Sequence, residues 1–139
     1  MIKVNIIIKI SKTELKYNII QNTLNDVGAI VSFLGIIKNK NNNKQVQNIH
    51  YYIFDALFFS ILKKYCISII KNNNNTHIYI NQYSGMLDVG KINLIILVQS
   101  KDRKNAFLIC HKLLEFIKNN SPVWKKETYI NGTSEWINV

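Results

Sequence analysis

An α+β fold is predicted for these 139 residues, and three features carry the prediction. Segments rich in β-branched residues alternate with segments of helical apolar spacing in the order β-α-β-β-α-β-β-α-β, which mixes helices with hairpins instead of winding a parallel sheet. Hydrophobic residues make up 47% and charged residues 19%, the balance of a chain that builds a core. No repeat and no linker divides the sequence, so residues 1–139 are expected to form one domain. That length buries roughly two-thirds of the surface of the unfolded chain without staples.

The elements follow in order. Val4–Ile10 is β-branched and reads as a strand, not as a signal peptide, because no small-residue cleavage site follows it. Ser11-Lys-Thr-Glu14 has the spacing of a capping box, with a helix expected over about 12–25. Gly28–Ile37 is a long apolar strand without clean alternation, expected in the middle of a sheet. Asn39–Lys44 reads as a polar, mobile loop. Val46–Phe54 is a further strand. Asp55 is then expected to cap a helix reaching Lys71, with Ala56, Phe59, Leu62, Lys63, Cys66 and Ile70 near helical spacing. Thr76–Asn81 and Lys91–Gln99 are strands around the turn-rich piece QYSGMLDVG. A third helix covers about Asp102–Asn119, and the tail from Pro122 is extended with a turn at Asn131-Gly132.

Composition excludes several classes. The apolar runs, Ile6–Ile8 and Leu94–Val98 among them, fall far short of the roughly 20 residues that span a bilayer. Cys66 and Cys110 are too few for a disulfide framework and read as buried, reduced thiols of a cytoplasmic protein. His50, His77 and His111 show no metal spacing, and no metal is expected. The net charge of +10 invites nucleic acid, but seventeen of the eighteen basic residues are lysine. Together with abundant Asn and Ile this reads as AT-rich coding bias, and no recognition motif accompanies the charge, so no nucleic-acid partner is expected. The same bias makes the single arginine, Arg103, informative.

Three segments can carry chemistry. Pro122 breaks the preceding helix and forces extended backbone, so in Ser121-Pro-Val-Trp-Lys-Lys-Glu127 the Trp124 ring can anchor the strand while Lys125 and Lys126 point to opposite faces. A plain edge strand with solvated lysines is the alternative. Lys118 falls at the border of the apolar stripe of the third helix, beside Phe107 and Leu114. It can complement the helix C-terminus, or it can present an amine against an apolar wall, where lysine becomes a usable acid, base or nucleophile. Ser100-Lys-Asp-Arg103 joins a strand to a helix, a place for an anion held by backbone N–H groups and the Arg103 fork, or simply for an Asp102 cap. Lys38 follows Gly35 as another cation, or as a plain surface lysine.

From Gly28 onward the pieces resemble one family, the large catalytic subunit of molybdopterin synthase, the MoaE type. The resemblance runs through Gly28-Ala29, Phe33-Leu-Gly35, Ile49–Leu57, Gly85 and Val89-Gly90. It continues with Ser100-Lys-Asp-Arg103, Ala106-Phe107, Pro122–Glu127 and Gly132 to Trp136. All five glycines, the proline, both tryptophans and the arginine fall at family positions, while residues 1–27 match only in the order of their elements.

The resemblance implies an α/β-hammerhead fold with a small additional antiparallel β subdomain, and a homodimer flanked by two small ubiquitin-like sulfur carriers of the MoaD type in a heterotetramer. It implies transfer of two sulfurs from the carrier's C-terminal thiocarboxylate to cyclic pyranopterin monophosphate, making molybdopterin without a cofactor of the enzyme's own. It places the two essential lysines on Lys118, as acid/base or transient acyl acceptor, and Lys125, as substrate positioner and proton donor. Ile36, Ile37 and Lys38, the following Lys126 and Glu127, and Asp102 and Arg103 from across the dimer complete the substrate pocket it implies. The family usually has Arg at Lys38, His at Asp102, His-Arg at Gln82-Tyr83 and Tyr-Glu at Tyr51-Tyr52. Each charge-assisted hydrogen bond lost there would weaken the pocket by roughly 1–3 kcal/mol. A non-catalytic scaffold that still binds the carrier is the alternative function.

Overall fold

The computed structural model describes residues 6–18, 25–71 and 75–137. Nine strands and two helices are found among them, in the order β1 (Ile6–Ser11), β2 (Ala29–Ile36), β3 (Lys40–Asn41), β4 (Lys44–Ile53), α1 (Asp55–Ile70), β5 (His77–Tyr83), β6 (Gly85–Asp88), β7 (Ile92–Ser100), α2 (Arg103–Asn120), β8 (Val123–Tyr129) and β9 (Ser134–Ile137). The α+β class stands.

Two sheets are built. The first runs β1-β5-β7-β2, with β1 parallel to β5 and the other pairs antiparallel. Both helices supply its core: Phe58, Leu62, Cys66 and Ile70 of α1, and Ala106, Ile109, Cys110, Leu113 and Ile117 of α2, join Ile78, Ile80, Leu94, Ile96 and Val98 of the strands. The second runs β3-β4-β8-β9, with β6 on the other side of β4. A smaller core under it gathers Ile37, Val46, Ile49, Tyr51, Leu87 and Tyr129. No helix among the described residues is long and apolar enough to cross a membrane.

Six expectations are corrected. The helix over 12–25 is not formed where the structure describes it: residues 12–18 are irregular, and 19–24 lie outside the described residues, as do Val4 and Asn5. The capping box fails because both of its side chains have distant partners. Ser11 Oγ donates to Asn81 Oδ1 at 2.8 Å, and Glu14 pairs with Lys91 at 2.9 Å. With Leu15 buried and Tyr17 bonded to Ser32, tertiary ties hold this stretch in an irregular path. The apolar strand β2 stands at the end of its sheet, not in the middle, and none of its residues is buried, Ile30 and Ile36 being exposed, so its apolar density reports neither burial nor position in the hydrogen-bonded order.

The Asn39–Lys44 segment is a tight hairpin rather than a mobile loop. Asn42 and Asn43 take φ of 50° and 65°, the left-handed conformation a two-residue hairpin requires and asparagine tolerates. In α1, Phe54 is the N-cap and its side chain makes no capping bond, so Asp55 sits in the first turn; the buried stripe starts at Phe58, while Phe59 is exposed. The turn-rich piece contains a strand, β6, which pairs residues 85–88 with 48–51 of β4. Both cysteines are free and buried within helices, and burial pushes the Cys66 thiol up to about 12 and raises Cys110 as well, so neither is a thiolate nucleophile at neutral pH.

Candidate active site

Where the two sheets meet, α2 ends and the chain turns into β8. Ser121 takes an extended conformation, its N–H still bonded to Ile117 O, and Pro122 prevents the helix from continuing. Pro122 O accepts from Phe54 N, which docks the start of β8 beside the end of β4. This junction brings the last turn of α2, carrying Lys118, next to the third residue of β8, Lys125.

Between them lies a cavity of about 290 Å³. Its apolar wall comes from the end of β2, from Phe33 to Ile36, and from Leu94, Ile117 and Val123. Its polar groups are Lys118, Lys125, Tyr51, Gln82, Asn93 and Ser121. Gln82 is buried and donates through Nε2 to the backbone oxygens of Tyr83 and Asn93, so its amide is fixed. Burial holds the Lys125 amine below the ordinary lysine range, the charge of Lys118 lowers it further, and Glu127 works against both. Two amines, one partly desolvated, facing a half-apolar hollow can bind an anion and exchange protons with it.

The strand β8 alternates as period two requires. Lys125 turns into the cavity, while Lys126 lies on the outer face with its Nζ 5.6 Å from the Trp136 ring centroid. Trp124 does not anchor the strand. It is 54% exposed, because its register opposite Tyr52 puts it on that same outer face. Buried Pro122, Glu127 and Tyr129 hold β8 instead.

The other site candidates lie elsewhere. Ile36 lines the cavity, but Ile37 is buried in the second core and Lys38 is exposed outside the lining. Asp102 is the N-cap of α2, its carboxylate accepting from Asn105 N at 2.8 Å, which is the capping alternative. Arg103 opens that helix and Lys118 stands in its last turn, about 22 Å along the axis, so one copy of the chain does not bring them together. Glu127 is 4% exposed behind Lys125, accepting from Asn41 Nδ2 at 2.9 Å and from the Tyr129 hydroxyl at 2.7 Å.

Glu127 therefore joins packing to charge, and substitutions there separate the two. Glu127→Ala should cost about 1–3 kcal/mol, since it removes the acceptor of Asn41 and Tyr129, and it should lower the Lys125 proton affinity further. Glu127→Gln should recover most of the stability but not the proton affinity. Denaturant midpoints and pH-dependent labelling of Lys125 measure the two effects.

Sequence reasoning missed Asn93. A lone amide inside the apolar run of β7, INLIILV, was the signal. Gln82 stood out in the sequence only as a departure from a family pattern, and Tyr51 only as the family tyrosine before the departing Tyr52, neither with a place in the fold.

The family model described as MoaE protein matches residues 9–120. A molybdopterin synthase catalytic subunit of Dictyostelium discoideum is 30% identical over 112 residues, covering 78% of this chain and 71% of the relative. Another, of Nostoc sp., is 26% identical over 113 residues, covering 81% and 68%. These relatives are named as catalytic subunits, so a non-catalytic scaffold is not favoured. In fold, the chain is similar to molybdopterin synthase from Staphylococcus aureus, with a TM-score of 0.81 at 23% identity over 100% of this chain and 99% of that one. It is also similar to a chain of the complex of subunits 1 and 2 of molybdopterin-converting factor from Helicobacter pylori, with a TM-score of 0.67 at 23% identity over 82% and 73%. With a family match across more than half its length, on a fold that brings Lys118 and Lys125 to one cavity, this chain belongs to the MoaE family.

Proposed function

We propose that this chain is the catalytic subunit of a molybdopterin synthase and acts in molybdenum cofactor biosynthesis. It takes sulfur from the C-terminal thiocarboxylate of a small carrier of the MoaD type and delivers two sulfurs to cyclic pyranopterin monophosphate. The observation that carries this function is the convergence of Lys118 and Lys125 on one cavity in a chain of this family. The complex of two subunits formed by the Helicobacter pylori relative supports the partner.

The roles follow from position. Lys118, exposed at the cavity mouth in the last turn of α2, meets the carrier's C-terminus as acid/base or transient acyl acceptor. Lys125, half-buried beneath it, positions the substrate and donates a proton. The end of β2 at Ile36, with Ile37 and Lys38 after it, and Lys126 and Glu127 on β8 complete the surroundings of the substrate. Asp102 and Arg103 reach the site from a second large subunit, and because Asp102 is occupied as a helix cap, Arg103 supplies the cation there.

A proton donor with a lowered pKa loses activity as pH rises through that pKa. The alkaline limb of the rate profile should therefore fall below the 10.5 of an ordinary lysine. A limb that stays in the ordinary range, or that survives in Lys125→Met, would exclude Lys125 as the donor. The function itself is tested by mixing the protein with thiocarboxylated carrier and cyclic pyranopterin monophosphate and reading molybdopterin by the fluorescence of its oxidised derivative. Product is expected; a stable complex with the carrier that yields none would overturn the catalytic assignment.

A further inference from the structure

Lys125 has a close neighbour that carries no charge. In the register of β4 with β8, Tyr51 stands directly opposite Lys125, so the two side chains leave the same face of the sheet. Tyr51 is 3% exposed, and its ring centroid lies 5.9 Å from Lys125 Nζ, within the range at which an aromatic face attracts an ammonium. The Asn93 amide lines the same cavity and favours the ionised form of the Tyr51 hydroxyl, against the burial that disfavours it. Asn93 in turn sits where it does because residue 35 is glycine: a Cβ on Gly35 would collide with Asn93 Oδ1. All four residues line the one cavity.

We propose that Gly35, Asn93 and Tyr51 form a positioning chain for Lys125, in which the missing side chain at Gly35 seats Asn93, Asn93 steadies the Tyr51 phenol, and the Tyr51 ring holds the Lys125 ammonium in the cavity. The proposal rests on Lys125 being a working amine, and it gives that amine its support. Tyr51 and Asn93 are positioning residues, acting through Lys125 without touching the reacting atoms.

The balance of forces on Lys125 gives the direction of the effect. The charged groups that face it are Lys118 from α2, which disfavours its ammonium, and Glu127 from its own strand, which favours it. The walls contributed by β2, β5 and β7 are uncharged. The Tyr51 ring stands on the favouring side, so removing it should make Lys125 give up its proton at lower pH. The hydroxyl matters only through Asn93. Removing the hydroxyl or removing Asn93 should therefore have the same, smaller effect, and removing both should add little.

The test is competitive labelling of Lys125 with acetic anhydride across pH, read by mass spectrometry on the whole folded chain, next to the sulfur-transfer assay. Tyr51→Leu should lower the labelling midpoint by about half a pH unit or more. Tyr51→Phe and Asn93→Ala should each lower it by about half as much, and the double variant should match either single one, as expected for members of one chain of contacts. Tyr51→Leu should also reduce kcat about tenfold while leaving KM for the carrier unchanged. An unmoved midpoint in Tyr51→Leu, or full additivity of Tyr51→Phe and Asn93→Ala, would overturn the proposal. If Tyr51→Leu does not fold, the comparison of Tyr51→Phe, Asn93→Ala and their double variant decides alone. Labelling is read whether or not the chain turns over, so a failure here is distinguishable from a failure of the sulfur-transfer assignment.

Discussion

Lys118→Ala is expected to abolish molybdopterin formation while leaving the fold intact. The side chain is exposed in the last turn of α2, and no hydrogen bond or salt bridge to it is found among the described residues, so its loss leaves no buried group unpaired. Its stabilising share is limited to the interaction of a cation with the helix C-terminus, about 0.3–1 kcal/mol. Loss of a positioned acid/base, by contrast, costs about 10²–10⁴-fold in rate. The ratio of these two effects is the signature to look for: a thermal midpoint within a few degrees of the wild type and product formation near background. The same substitution removes the like charge beside Lys125, so the Lys125 amine should move back toward the ordinary lysine range. Unchanged turnover in Lys118→Ala would remove the lysine from the mechanism, whatever became of Lys125.

The largest effect on stability is expected at Leu113→Ala. Leu113 is fully buried in the core shared by α2 and the first sheet, between Ile109 and Ile117 on the stripe that seats the helix. Truncating a buried leucine removes its transfer free energy and leaves a cavity that its neighbours fill only in part, a cost of about 2–5 kcal/mol. For a domain of this size each kcal/mol moves the thermal midpoint by about 2–4 °C. Phe107 on the same helix is 64% exposed, so Phe107→Ala should stay within about 0.5 kcal/mol of the wild type despite removing a larger side chain. Urea titrations of the two variants check both, with an unchanged slope showing that the cooperative unit is preserved. Because α2 delivers Lys118 to the cavity, Leu113→Ala should also depress activity in the temperature range where the helix begins to loosen.

How far the site was legible in the sequence depended on the kind of residue. Lys118 and Lys125 each have a local signal, one bordering an apolar stripe at a helix end and the other on an alternating strand after a proline, but those signals left plain surface lysines open and the family resemblance singled the two out. Arg103 stood out against a lysine-rich background. Asn93, a lone amide in an apolar strand, and Tyr51, a tyrosine beside another tyrosine, carry weaker signals that become meaningful only when β4 lies against β8 and β7 against β2. Trp124 misled in the opposite direction, because size suggested an anchor while cross-strand register placed the ring on the outer face.

The same division runs through the fold. By itself the sequence determined the α+β class, both long helices, six of the strands and the break at Pro122, together with the family resemblance. Each of these is encoded within a few residues, by apolar period, β-branching or a fixed φ. Only the tertiary structure decided that β2 ends its sheet, that Ser11 and Glu14 bond across the molecule instead of capping a helix, that Asn42 and Asn43 close a hairpin, and that Asp102 caps α2 far from Lys118. The Ser11 and Glu14 contacts span 70 and 77 positions, and local preferences of a few tenths of a kcal/mol per residue yield to such contacts once the chain is compact.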